Sequence, residues 1–316
     1  MPDVAVALGG GGIKGLAHIG VLRGLEKQGL TIKAIAGTSA GGIIGAVAAK
    51  GISMEDIENR VIHLDQNEFF KLSFSKTPAL LDFSGFANVL VEMLGDSSFE
   101  ELPIPFACTA VDMNAYQEVI ISKGKVLDAV LATIAIPGVF PPKEMGDCLL
   151  VDGGVLDPVP VSVVRWLAPT LPVIAVVLSP TPEGWAHVPS PGLESVASLP
   201  KPIAETFSKL KIAQAMTIYT NSMDISARML TELRLQIDKP EVVIRPKVDK
   251  YNILDNVDAA EMIQLGEDAV LENREEIFKA LNWPQAISRY FRKVEQPARL
   301  VGSEEHEGED WTNDGS

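Results

Sequence analysis

Two apolar runs near the N-terminus, each followed by a glycine-rich turn and then by helical spacing, constrain this chain more than any other feature. The first is Asp3–Leu8, followed by Gly9–Gly15 and Leu16–Lys27; the second, Ile32–Ala36, runs into Gly37-Thr38-Ser39-Ala40-Gly41. Short runs that are apolar at nearly every position suit strands buried on both faces. A strand, a crossover helix and a second strand of this length close as a right-handed parallel unit, so both glycine turns leave the same edge of one sheet. The alternation continues downstream. Leu171–Leu178 reads as a buried strand, Ile203–Ile237 as one or two helices, Glu241–Arg245 as a short strand and Asp258–Leu281 as helix, with Met216, Met223 and Met229 filling core. This order predicts an α/β fold, a three-layer α/β/α sandwich on a central, mainly parallel sheet.

The second turn carries chemistry. Gly37-Thr38-Ser39-Ala40-Gly41 fits the G-x-S-x-G elbow, in which Gly37 and Gly41 let the backbone turn sharply and leave the Ser39 hydroxyl free for attack. On these five residues alone, a plain turn opening a tightly packed helix is the better account. The first turn supplies what a nucleophilic serine needs. Amides at Gly10, Gly11 and Gly12 have no side chains in the way and stand at a helix N-terminus, where negative charge such as a developing oxyanion is favoured. The same glycines match a dinucleotide fingerprint, Gly10-x-Gly12-x-x-Gly15. That fold wants an acid at the end of the second strand, and this strand ends in Ala36-Gly37-Thr38-Ser39. A nucleotide-phosphate loop also fails, because Leu16 follows Gly15 where Lys and then Ser or Thr belong.

A hydroxyl nucleophile needs a base. The four histidines, His18, His63, His187 and His306, lie in helical, proline-rich or acidic-tail surroundings and read as packed or solvated imidazoles; His187 is the one held open, since it would satisfy the order Ser, Asp, His of an α/β-hydrolase triad. Among the acids, Asp152 follows the apolar run Cys148–Val151 and precedes Gly153-Gly154, a carboxylate at a strand end beside pliable backbone. Asp112, after Phe106–Val111, is the second choice. An aspartate in water, ionising near pH ~4, is a poor base for a hydroxyl unless its site excludes water and stabilises the oxyanion.

Gly10-Gly11-Gly12-Ile13-Lys14-Gly15, Gly37-Thr38-Ser39-Ala40-Gly41 and Asp152-Gly153-Gly154, in that order, resemble the patatin-like phospholipase family. Supporting stretches are Ala17–Leu22, Ala135–Pro142 and Val155–Val161, and the likeness runs from about Val4 to about Val270. The resemblance implies that Ser39 is the nucleophile, that Asp152 is its partner in a dyad without histidine, and that the Gly10, Gly11 and Gly12 amides form the oxyanion hole. It gives Lys14 a structural or electrostatic role. The implied reaction is cleavage of a lipid carboxylic ester through an acyl-enzyme, on phospholipid, lysophospholipid or a neutral acyl ester, with no metal and no cofactor. A non-catalytic regulator that keeps the fold and an acyl pocket is the alternative.

Phe69, Phe70, Phe74, Phe83 and Phe86 fall within Glu68–Phe86, a segment with no clean period; a lid over the serine and a satellite core are equal readings. The proline-rich stretch Ser179–Pro202, with Trp185, reads as a surface loop or a second rim. The expected organisation is one domain over residues 1–302, with motifs in 4–161, a lid-like segment at about 63–100, a helical part at about 203–285, and an acidic, disordered tail at 303–316. Cys108 and Cys148 sit in strand-like runs and read as buried free thiols of a reducing compartment. Met1-Pro2-Asp3 lacks the basic region of a signal peptide, and the uncharged span Ala34–Ala49 is too short and glycine-rich to cross a membrane. A cytoplasmic location is expected, with room for transient contact at a membrane surface. A net charge of -15 argues against nucleic acid as a partner and against simple attraction to anionic lipid, and the oligomeric state is left open.

Overall fold

A computed structural model gives the structure of the chain and describes residues 1–63, 71–72, 81–82, 84–187, 211–253, 255–282, 289–290 and 292–302. Its strands are β1 (Asp3–Leu8), β2 (Thr31–Gly37), β3 (Lys71–Leu72), β4 (Leu81–Asp82), β5 (Phe106–Asp112), β6 (Gln117–Ile121), β7 (Lys143–Met145), β8 (Cys148–Asp152), β9 (Val173–Val176), β10 (Val242–Ile244) and β11 (Arg299–Val301). The helices are α1 (Ala17–Lys27), α2 (Ala40–Ala49), α3 (Met54–Ile62), α4 (Ser84–Leu94), α5 (Val126–Thr133), α6 (Val161–Leu167), α7 (Lys211–Asp238), α8 (Ala259–Glu272) and α9 (Arg274–Ala280).

Among the described residues, nine strands form one sheet in the order β10-β9-β1-β2-β5-β6-β11, with β8 paired to β5 and β7 to β8; β3 and β4 form a separate antiparallel pair. From β10 to β5 every neighbour is parallel, while β6 and β8 run antiparallel to β5. The mainly parallel sheet expected from the sequence is present. β1 lies between β9 and β2, where the chain order reverses, and a crevice opens at such a switch point beyond the carboxyl ends of the strands.

The two faces of the sheet carry side chains of different size. β1 sends Val4, Val6 and Leu8 to one face and Ala5 and Ala7 to the other; β2 sends Ile35 to the first and Ala34 and Ala36 to the second. The large side chains meet α1, α2, α4, α5 and α8, whereas the alanine face lets Val161, Val163 and Val164 of α6 lie close to the sheet. α2 is buried nearly all round because its sequence is almost wholly small or apolar. Against α1, α8 packs backbone to backbone: a Cβ on Gly20 would stand 1.8 Å from Ile263 O, and one on Gly266 1.9 Å from Ala17 O. Arg165 of α6 donates to Asp238 O and Lys239 O at 3.0 and 2.8 Å and pairs with Glu241, which ties the end of α7 to the sheet.

Residues 84–94, which begin inside the stretch Glu68–Phe86 expected to be irregular, are regular. They form α4, whose Leu90, Met93 and Leu94 are buried in the main core, so Gly85 and Phe86 open a packed helix and this part of the lid-like segment is structural. The helical period starts inside the aromatic cluster, at Ser84, and Glu68–Phe86 viewed alone hides it. Phe69, Phe70, Phe74 and Phe83 lie outside the described residues, as do 188–210 of the proline-rich stretch and the tail 303–316. Trp185 is in a short 3-10 helix, Pro182–His187, and its indole N–H donates to Pro180 O at 3.1 Å.

Candidate active site

The site is set by how β5 divides one of its edges between two strands. Its first half pairs with β2, ending at Gly37 opposite Cys108; its second half pairs with β8, which arrives from the other direction and places Asp152 opposite Ala110. The carboxyl ends of β2 and β8 therefore meet head on across a single residue, Thr109. Its hydroxyl is 2.7 Å from the Thr38 hydroxyl, and a Cβ on Gly153 would stand 2.2 Å from the same oxygen. Ser39 and Asp152 follow from this register.

Ser39 caps α2 with φ 53° and ψ -123°. For a residue with a side chain this backbone costs on the order of 1–3 kcal/mol, and it persists because the surroundings leave no alternative. A Cβ on Gly41 would stand 2.1 Å from Leu8 O, and one on Gly37 2.3 Å from Gly41 O, so only hydrogen fits at the two elbow glycines. The Ser39 N–H donates to the Thr133 hydroxyl at 2.9 Å, which fastens Ser39 to the end of α5. The sequence held no sign of Thr133's part, because that contact spans ninety-four residues.

The glycine loop lies against the serine, where a Cβ on Gly10 would be 3.3 Å from the Ser39 Cβ. The three amides expected to face an oxyanion are not equivalent. Gly10 N–H donates to Pro158 O at 2.9 Å and is committed there; among the described residues the N–H groups of Gly11 and Gly12 have no acceptor. The loop is held from behind by Gly9, whose N–H donates to Val176 O at 3.0 Å and whose carbonyl accepts from His18 Nε2 at 2.8 Å. Lys14 is buried. Desolvation lowers its pKa, Asp224 raises it, Arg228 lowers it again, and Asp249 and Asp255 oppose that, so it links the loop electrostatically to α7 and the 249–255 segment.

Asp152 is 5% exposed, and its Oδ1 accepts from Gly154 N–H at 2.7 Å. Burial raises its pKa to about 6, against the pull of hydrogen bonds from the Ser39 hydroxyl and from Gly154 N–H toward lower values. It is thus a stronger base than an ordinary aspartate and still ionised at neutral pH. Asp112 is engaged elsewhere. Its carboxylate accepts from Asn114 N–H at 3.0 Å and Leu149 N–H at 3.3 Å, as a turn acid does. His18 is wholly buried, and desolvation lowers its pKa to about 4, so it stays neutral and serves as a strut. His63 is exposed beside Asn59 O; the side chain of His187 and all of His306 lie outside what is described. Cys108 and Cys148 are buried free thiols whose pKa values burial pushes up, which leaves neither as a thiolate nucleophile at neutral pH. Among the described residues no group of three or more His, Cys, Asp or Glu is arranged to hold a metal ion, and no helix is long and apolar enough to cross a membrane.

A family model described as patatin-like phospholipase matches residues 6–165. An uncharacterised NTE family protein of Mycobacterium tuberculosis is 36% identical over 185 residues, covering 58% of this chain and 51% of that protein. Lysophospholipase NTE1 of Saccharomyces cerevisiae is 28% identical over 167 residues, covering 51% of this chain and 10% of that protein. The chain therefore spans about half the length of its mycobacterial relative and a tenth of the yeast one. Among solved structures, VipD from Legionella pneumophila aligns with a TM-score of 0.46 at 11% identity, over 86% of this chain and 66% of that one. The type III effector ExoU aligns with 0.44 at 12%, over 92% and 54%. The match over residues 6–165 covers half of the chain and contains the glycine loop, the Ser39 elbow and the Asp152 turn: the chain belongs to the patatin-like phospholipase family.

Proposed function

We propose that this chain is a serine esterase that cleaves carboxylic ester bonds of lipids through Ser39 and Asp152. The observation that carries the reading is the buried Asp152 carboxylate, its pKa raised by burial and drawn back by the Ser39 hydroxyl, beside a glycine loop with two amides that lack acceptors among the described residues. Ser39 Oγ attacks the ester carbonyl while Asp152 takes its proton. The Gly11 and Gly12 N–H groups receive the oxyanion, and Gly10 contributes by letting the loop approach. Asp152 then returns the proton to the leaving alcohol, and water, deprotonated by the same carboxylate, releases the acyl group. Raising the Asp152 pKa from 3.8 to about 6 narrows the gap to the serine hydroxyl by on the order of 3 kcal/mol.

The contact with lipid is assigned to α7. On its outer side Ile218, Ile225, Met229, Leu233 and Ile237 are exposed, while Asp224, Arg228, Glu232, Arg234 and Asp238 are all half-buried. An uncharged apolar face on a chain of net charge -15 suits a zwitterionic bilayer better than an anionic one. α7 also reaches the site, since Arg234 donates to Leu156 O at 3.2 Å.

Turnover of p-nitrophenyl butyrate and of lysophosphatidylcholine by purified variants tests the chemistry. Ser39→Ala and Asp152→Asn each lower kcat by about a thousandfold or more, while His187→Ala stays within about threefold of the parent. Loss of activity in His187→Ala with retention in Asp152→Asn would contradict the dyad. The pH dependence has a definite sign. Asp152 must be ionised to act, and with its pKa raised to about 6, kcat/KM falls as pH drops through about 6 and is level above about 7. An acid limb near pH 4 would show an unshifted carboxylate. For the lipid face, Ile225→Glu and Ile237→Glu together reduce cosedimentation with phosphatidylcholine vesicles by about tenfold without altering turnover of the soluble ester; unchanged sedimentation would remove α7 from that role.

A further inference from the structure

The tripeptide Leu156-Asp157-Pro158 touches every part of the site. Pro158 O accepts from Gly10 N–H at 2.9 Å, which holds the glycine loop. Asp157 O accepts from the Thr38 hydroxyl at 2.8 Å, which holds the elbow, and Asp157 N–H donates to Gly153 O at 2.8 Å, which holds the turn after Asp152. Leu156 O accepts from Arg234 Nε and Nη2, both at 3.2 Å. The side chain at its centre has no such partner.

Asp157 is 0% exposed, and neither of its carboxyl oxygens has a donor; Glu118 Oε1 and Asp238 Oδ2 are in the same condition. The charged groups that face it are Glu118 on β6 and Arg234 and Asp238 on α7. Arg234 donates to Glu118 Oε2, and Arg165, which also faces Asp238, is paired with Glu241, so the buried Asp157 and the half-buried Glu118 and Asp238 share too little positive charge. All three cannot be ionised in that space. A single proton on Asp157 turns an acceptor into a donor to Glu118 Oε1 and satisfies one oxygen on each partner. Arg234 spends its donors on Glu118 Oε2 and Leu156 O and gives none to Asp157, so Asp157 is the acid that holds the proton most cheaply.

We propose that Asp157 is a positioning residue: as a neutral acid hydrogen-bonded to Glu118, it fixes the strut that holds Gly10, Thr38 and Gly153, and so sets the placement of Ser39 against Asp152. Burial and the neighbouring Glu118 hold its pKa well above the ordinary carboxylate range, with Arg234 pulling the other way and Asp238 adding to the rise. The folded state then keeps a proton that the unfolded chain releases above 3.8, so stability is lost as pH rises from there toward the folded value. The consequence for turnover depends on the esterase activity proposed above, whereas the consequence for stability does not.

The test compares the wild-type chain, Asp157→Asn and Asp157→Ala by thermal unfolding from pH 5 to pH 9 and by kcat and KM for p-nitrophenyl butyrate. Asparagine is neutral, has the same shape and donates to Glu118. Its Tm relative to wild type rises with pH, by about 3–5 °C between pH 5 and pH 9. It keeps kcat within about threefold at pH 7 and leaves the acid limb near pH 6 in place, whereas Asp157→Ala loses about thirtyfold in kcat with KM within about twofold. If Asp157→Asn is as impaired as Asp157→Ala, or if its Tm tracks wild type at every pH, the proposal is overturned. Should Asp157→Ala fail to fold, the comparison of wild type with Asp157→Asn still decides. Absence of turnover in the wild-type chain would count against the esterase and leave the unfolding comparison intact.

Discussion

The site depends on one backbone arrangement: the edge of β5 that pairs with β2 up to Cys108 and with β8 from Ala110 onward. Strand pairing is rigid and its side-chain period is fixed, so the two carboxyl ends cannot slide past one another without breaking ladder bonds on both sides. Thr109 occupies the junction, and its hydroxyl meets Thr38 from one strand end while Gly153 lies against it from the other. A parallel sheet would ordinarily deliver catalytic groups from neighbouring strands at similar heights. Here an antiparallel intruder brings its last residue, Asp152, to the end of β2, beside the Ser39 elbow.

Two nearby carboxyl groups stand in different electrostatic surroundings. Asp152 faces the serine, and its raised pKa of about 6 leaves it ionised at neutral pH but more basic than a surface aspartate. Asp157, five residues on, is shut away from solvent among Glu118, Arg234 and Asp238, where a charge has too few donors. Environments that push titratable neighbours apart in this way allow one to act as a base and the other as a neutral hydrogen-bond donor. His18 shows the same logic in the opposite sense, since burial keeps it neutral and its Nε2–H is committed to Gly9 O.

What the sequence disclosed and what it hid divide by the range of the interactions. The β1-loop-helix and β2-elbow-helix units were legible because strand period, glycine turns and a right-handed crossover are local rules, and Ala34–Ala49 resolved as a strand and a small-residue helix for the same reason. The antiparallel course of β8 was not legible, because Cys148–Asp152 carries no mark of direction and its partner is forty residues away. The acceptor for Gly10 N–H lies in Pro158, and nothing in a run of four glycines tells which amide is committed and which are free. Asp157 before Pro158 reads as turn chemistry, and only the packing of β6 and α7 around it shows a buried acid. α4 was missed because its apolar period begins inside an aromatic cluster that has none.

The most direct measurement is intact-mass spectrometry after exposure of the folded chain to a fluorophosphonate probe, which reports on the serine without any choice of lipid. The account predicts a single adduct, mapped by peptide digestion to Ser39, absent from Ser39→Ala and formed at least about a hundredfold more slowly by Asp152→Asn. Folded protein that takes no adduct, or an adduct that persists on Ser39→Ala, would contradict it.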